Sequence, residues 1–283
     1  MKAVEAAFKG LIDYAGLYPP AGLDMRAAVR NFLAYLDGKH AWMLGRFVVE
    51  MGRLEELRAA AGERLGDVRL SVIAPASPEA GLVAGWMKSG FRVESVEIKC
   101  DEPLRMARVQ EHLPERMECY FEIPVQQNCS AAVDAIAAVD ARVKLRMGGV
   151  TAEAFPASEL VAARLHLLAD RRVAFKATAG LHHPVRGEHR LTYEKDSASG
   201  VMHGFVNLLC SAAVIHFGGS CAEASRVLEE RDAGAFRVTA DEVAVHGHAW
   251  NAGQVREVRK CFASFGSCSF VEPVEELEGL GWI

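Results

Sequence analysis

The chain has 283 residues, of which 51% are hydrophobic and 24% charged, with 37 acidic against 32 basic side chains and a formal net charge of -5. A chain of this kind buries a sizeable core, which excludes a disordered tail protein, and its basic residues are spread rather than clustered, so there is no nucleic-acid footprint. The longest apolar stretch, 206–217, is interrupted by Asn207, Ser211 and His216 and falls short of the roughly 20 residues of a membrane span. The opening MKAVEAAFKG lacks a signal peptide's apolar core, and the expectation is a soluble cytoplasmic protein without a membrane partner.

In chain order, short apolar or β-branched runs alternate with longer stretches of helical spacing. GLIDYA (10–15) precedes a helical pattern over 25–36, MLGRFVVE (43–50) one over 53–65, and RLSVIAP (69–75) one over 78–88. SVEIKC (95–100), ECYFEIP (118–124), ARVKLRMGG (141–149) and RVAFKATAGL (172–181) follow, with a further helical pattern over 158–168. Strand then helix, repeated, marks a parallel α/β sheet. Seven units plus a candidate eighth strand near 264–271 predict a single (β/α)8 TIM-barrel domain, for which about 250 residues is typical. An open doubly wound sheet is the competing arrangement.

The excess length, about 182–264, reads as an insertion between strands seven and eight. It holds a polar loop, an apolar helix over 201–217, a second helix over 221–231, a hairpin FRVTADEVAVHG (236–247) and a helix over 254–262. The insertion is expected over the barrel mouth, and removing the hairpin around 239–245 is expected to leave the barrel folded. The apolar helix suits burial against the barrel or against a second copy in a homo-oligomer. Seven cysteines, an odd number with no CxxC pair, argue against a disulfide framework or a zinc knuckle and fit buried thiols.

Successive strand residues face opposite ways, so each run divides into two faces. Val96 and Ile98 oppose Glu97 and Lys99; Phe121 and Ile123 oppose Tyr120 and Glu122; Val143 and Leu145 oppose Lys144 and Arg146; Val173, Phe175 and Ala177 oppose Lys176 and Thr178. Helices cover the outside of a barrel, so the apolar set belongs outside and the charged set inside, near the carboxyl ends where barrel enzymes place their sites. Buried charges are costly unless paired or hydrated. The alternatives are an active site and a salt-bridge network that only holds the barrel together. Lys144 and Lys176 on neighbouring strands suit a Schiff-base nucleophile whose pKa is lowered by the second amine, with Glu97, Glu122 and Asp13 as acids and bases. A lysine inside a barrel equally suits anion binding.

The same residues resemble deoxyribose-phosphate aldolase, in family order. LIDYAGLYPPAGL is similar to that family's first strand, SVEIKC to its fourth with the acidic residue at Glu97, and CYFEIP to its fifth at Glu122. RVKLRMGG resembles the run carrying the Schiff-base lysine, which falls on Lys144, and FKATAGL the run carrying the second lysine, which falls on Lys176. FGSCSF resembles the phosphate-binding turn, at Gly266, Ser267 and Ser269. The departures are Glu97 for aspartate, and Leu145 and Arg146 for the hydroxyl residues that follow the lysine. The resemblance implies a class I aldolase scaffold needing no cofactor, a lyase acting on a small carbonyl substrate, phosphorylated or carboxylated, with dehydratase and isomerase chemistry also compatible. Backbone N–H groups around Gly148, Gly149, Gly180, Gly266 and Ser267 are candidates to cradle the anion, with Arg146, Thr178, His182 and Arg186 as further substrate contacts.

Six histidines, His182, His183, His189, His203, His246 and His248, lie in or near the insertion. A metal held by His182 or His183, His203 and Glu122 would give a metal-assisted hydrolase or isomerase, although the spacing matches no motif such as HExxH. His246 and His248 are expected to be solvent-exposed. A catalytically silent barrel used as a binding module is the third reading.

Overall fold

Eight strands close into one parallel barrel in the computed structural model, which describes residues 1–100, 102–115, 117–123 and 125–283. The elements run α1 (Ala3–Phe8), β1 (Ile12–Tyr14), α2 (Met25–Leu36), β2 (Leu44–Glu50), α3 (Leu54–Ala61), β3 (Arg69–Ala74), α4 (Leu82–Lys88), β4 (Arg92–Lys99), α5 (Pro103–His112), β5 (Glu118–Ile123), α6 (Ser130–Ala138), β6 (Arg142–Arg146), α7 (Ser158–Asp170) and β7 (Phe175–Thr178). After β7 come β8 (Gly187–Arg190), β9 (Ser199–Met202), α8 (Phe205–His216), α9 (Cys221–Glu229), β10 (Phe236–Val238), β11 (Glu242–Val245), β12 (His248–Asn251), α10 (Ala252–Cys261), β13 (Phe262–Ser267) and α11 (Val271–Gly279). β1 pairs in parallel with both β2, Ile12 opposite Leu44, and β13, Ile12 opposite Phe265, so the sheet closes and the open arrangement is excluded.

The two faces of each strand fall as the period-two pattern requires. Val96, Ile98, Phe121, Ile123, Val143, Leu145, Phe175 and Ala177 are buried outward against the helices. α2 shows how the local sequence builds that outer layer: Asp24 accepts a hydrogen bond from Ala27 N–H as N-cap, and Met25, Ala28, Val29 and Phe32 form the buried stripe. Inside, the register sets Glu97 beside Tyr120, Glu122 beside Lys144 and Lys144 beside Lys176, bringing the ionisable side chains of four strands to neighbouring heights.

The segment between β7 and β13 divides between the two ends of the barrel. Only its first part, with the β8–β9 hairpin, stands at the mouth; the segment expected to begin an apolar helix at 201 instead starts as β9, where Met202 pairs with Gly187. α8 is the crossover helix of the barrel wall, buried at every residue except His216, with Phe205 stacked on Phe265 at 4.7 Å. α9 packs outside it, joined by the buried Asn207 amide, which donates to the carbonyls of Val227 and Glu230. The sheet β10–β12 lies at the opposite end from the mouth, because Ala3 and Val4 at the start of α1 donate to the carbonyls of Ala240 and Thr239. Phe236, Val238, Val243, Val245 and Trp250 are buried there, so the hairpin carries apolar core residues at the end away from the mouth. His246 is exposed and His248 half-buried, ion-paired to Glu230 and Glu223. All seven cysteines are free, and among the described residues no helix is long and apolar enough to cross a membrane.

Candidate active site

The barrel interior is a column of alternating charge. At its amino end Arg46 on β2 pairs with Glu94 (3.2 Å) and Glu118 (2.8 Å), and Arg142 on β6 pairs with the other oxygen of Glu118 (2.7 Å). Above this lies Lys176, whose Nζ is 2.6 Å from both Asp13 Oδ2 and Glu97 Oε1 and 5.4 Å from the centre of the Tyr120 ring. Asp13 Oδ1 accepts Arg46 N–H (2.8 Å) and Oδ2 accepts the Ser264 hydroxyl (2.8 Å). β2 carries Gly45 at this level, and a Cβ there would collide with Asp13 Oδ1 and Ile12 O. Ser95 donates to Ser71, which donates to Glu97 Oε1, each at 2.7 Å. At the carboxyl end Lys144 Nζ lies 2.8 Å from Glu97 Oε2 and 2.9 Å from Glu122 Oε2, with Arg146 4.0 Å from Glu122.

Glu97 therefore stands between the two lysines and gives one oxygen to each. Burial disfavours its carboxylate, but Lys144 and Lys176 outweigh burial and hold it well below the usual carboxylate range. Burial likewise disfavours the ammonium of Lys176, yet Asp13 and Glu97 raise its pKa; for Lys144, Glu97 and Glu122 do the same. The expectation that Lys176 lowers the pKa of Lys144 is thus corrected, because an intervening carboxylate replaces like-charge repulsion with a row of opposite charges.

A cavity of about 400 Å³ opens above Lys144, lined by Glu97, Glu122, Lys144, Arg146, Lys176, Thr178 and Gly266 from the strand ends and by Gly180 and His182 from the loop after β7. Asp13 lies beneath it, reaching the cavity only through Lys176. Gly180 has φ +68°, and a Cβ there would meet the Phe155 ring and the Gly148 Cα, so the turn after β7 needs glycine. Ser267 is buried, its hydroxyl 3.4 Å from His182 Nδ1.

Two expected contacts lie elsewhere. Arg186 binds Glu229 (3.3 Å) and His203 Nδ1 (3.1 Å), and Ser269 accepts Glu272 N–H (3.1 Å) at the start of α11; both line a separate outer cavity. His203 spends its other nitrogen on the Pro156 carbonyl (2.7 Å), so a metal set of His182 or His183 with His203 and Glu122 does not form. Lys99, Arg190, Tyr193, Cys268 and Glu272 also line the mouth cavity. Lys99 shares the inward face of Glu97, and that period-two signal was sufficient to find it. Arg190 and Tyr193 lie in a polar stretch without periodicity, and only tertiary folding brings them over the strands. His182 Nδ1 is 3.3 Å from Glu272 and 3.9 Å from Cys268 Sγ; burial opposes its charge, but these two partners push its pKa up to about 9.

No protein-family model matches the chain, and no curated protein matches it. One solved structure is similar to it. This is the tryptophan synthase A-subunit from the hyperthermophile Pyrococcus furiosus, 16% identical, with 62% of this chain and 81% of that chain covered and a TM-score of 0.40.

Proposed function

We propose that the protein is an aldolase-like lyase that acts on a small carbonyl compound carrying a carboxylate or phosphate, through a Schiff base on Lys144. The observation that supports this most directly is the placement of the Lys144 amine, on the floor of the mouth cavity between Glu97 and Glu122. The resting amine is protonated. A carbonyl entering the cavity displaces water, Glu122 takes a proton from Nζ, and the freed amine attacks the carbonyl carbon. The proton held by Glu122 passes to the carbonyl oxygen, and loss of water leaves the iminium with no net proton change. The iminium draws the electrons of the adjacent carbon–carbon bond as a carboxylate removes the hydroxyl proton of the departing aldehyde. Reprotonation of the enamine and hydrolysis restore Lys144. Lys176 and Asp13 are positioning residues on this reading, since they fix Glu97 from below. Lys99 and Arg190, which form no ion pair among the described residues, and Arg146 give the mouth its affinity for an anion.

Borohydride reduction in the presence of a panel of small aldehydes and ketones, followed by peptide mass mapping, should place the adduct on Lys144 and lose it in Lys144→Met. If adducts never form there and Lys144→Ala keeps all turnover, the Schiff-base reading is wrong. The complete pairing of Lys176 by two carboxylates favours the second reading, a catalytically silent barrel that binds small anions. Anion binding without trapping would select it.

A further inference from the structure

The loop that leaves β7 and the helix that follows β13 meet at the rim of the barrel, around a group of donors that the lyase chemistry does not use. His183 is buried and presents Nδ1 to Glu276 Oε1 at 2.6 Å. Glu272 lies four residues before Glu276 on α11, hence on the same helix face, and one ligand atom from each of the three residues lies within 4.8 Å of the others. We infer that His183, Glu272 and Glu276 form a divalent-cation site, of a kind suited to Zn2+, which clamps the loop after β7 to α11.

The donor chemistry favours this class of ion. One imidazole with two carboxylates is poor in oxygen for Ca2+ and carries a nitrogen that Mg2+ does not seek, whereas Zn2+ takes N and O ligands at about 2.0–2.2 Å and completes a tetrahedron with water. An outer cavity of about 930 Å³, lined by Glu272 and Glu276, gives that water a path. The surroundings also hold the ligands in place. The His189 ring stacks on His183 at 3.4 Å and 9°, which fixes the plane of the His183 imidazole. The His189 Nε2 is buried without a partner. Tyr193 donates to Glu272 at 3.1 Å, supporting a ligand from outside the set. Glu272 also lies 3.3 Å from His182 Nδ1, so the ion would draw this carboxylate away from that partner.

The site shares no residue with Lys144, Glu97 or Glu122, so its test stands apart from the proposed reaction. Full-length protein freed of metal with a chelator is dialysed against Zn2+, and bound metal is measured by mass spectrometry alongside thermal unfolding. One equivalent per chain and a raised midpoint are expected. Glu276→Gln, at a partly exposed position where folding is not at stake, and His183→Ala should each weaken binding by about tenfold or more. Glu275→Gln, in the same cavity wall but outside the set, should bind as the wild type does. The inference is overturned if the wild type takes up no Zn2+ or if Glu276→Gln binds it equally well. A Co2+ derivative with thiolate charge-transfer absorption would also overturn it, by placing the ion on cysteine.

Discussion

Glu97 divides its two oxygens between two ammonium groups, and removing one ammonium differs in cost from removing the other. Lys176 is enclosed, 1% exposed in its side chain, and faces both Asp13 and Glu97. Lys176→Met leaves two buried carboxylates without their shared cation, which should cost about 3–5 kcal/mol. Lys144→Met leaves Glu97 still paired to Lys176 and Glu122 in reach of water at the mouth, so its cost should be roughly half as large. Urea unfolding at neutral pH measures both; equal losses would refute the arrangement. The acid side adds a second readout on the same proteins. Glu97 titrates lower when folded than when unfolded, so its stabilisation is present above its ordinary value of 4.5 and is lost as pH falls through the folded value. In Lys176→Met only Lys144 still opposes burial, so the folded value rises toward 4.5, and the loss of stability on acidification should be smaller and complete at a higher pH than in the wild type.

At the scale of elements, β1 and β2 meet tightly where Gly45 leaves room for the Asp13 carboxylate. A glycine with ordinary strand geometry is stabilised by alanine by about 0.4–1 kcal/mol through the unfolded chain. Gly45→Ala should instead destabilise, by about 2–3 kcal/mol, because the new methyl group meets Asp13 Oδ1 and the Ile12 carbonyl rather than a yielding side chain. A midpoint equal to or above that of the wild type would show that the β1–β2 seam has slack. Such packing separates what the sequence reveals from what it conceals. Period-two alternation placed Glu97, Glu122, Lys144, Arg146, Lys176 and Thr178 inside, since that pattern is carried by each strand alone. The pairing of Glu97 with both lysines was not readable, since it depends on where three strands bring their side-chain tips. Glu272 and Glu276 escaped notice because an i,i+4 acidic pair on a helix usually faces solvent, and nothing local shows that His183 will cover it. Arg186 was misplaced because proximity in sequence to β7 does not say that the chain turns toward α9 before it reaches β8.

For the whole molecule, the decisive feature is that the 83 or so residues between β7 and β13 serve both ends of the barrel. Composition and helical spacing identify them as extra, but α8 is wall, the β8–β9 hairpin is rim, and β10–β12 is joined to α1 beneath the floor. These parts should respond differently to deletion. Replacing 236–251 with a short Gly/Ser linker removes Phe236, Val238, Val243, Val245 and Trp250 from the core. At about 1.5–3 kcal/mol for each large apolar side chain, the loss is on the order of 10 kcal/mol, comparable to the whole stability of a typical domain. That variant should lack a cooperative unfolding transition. Shortening the exposed tip of the mouth hairpin, 193–197, to a two-residue Asn-Gly turn removes no buried apolar side chain, and the resulting protein should unfold cooperatively within a few degrees of the wild type. Circular dichroism melts of the two variants compare the ends of the molecule directly. A 236–251 deletion that still melts sharply would mean that the floor sheet is an appendage after all, and that the barrel closes without it.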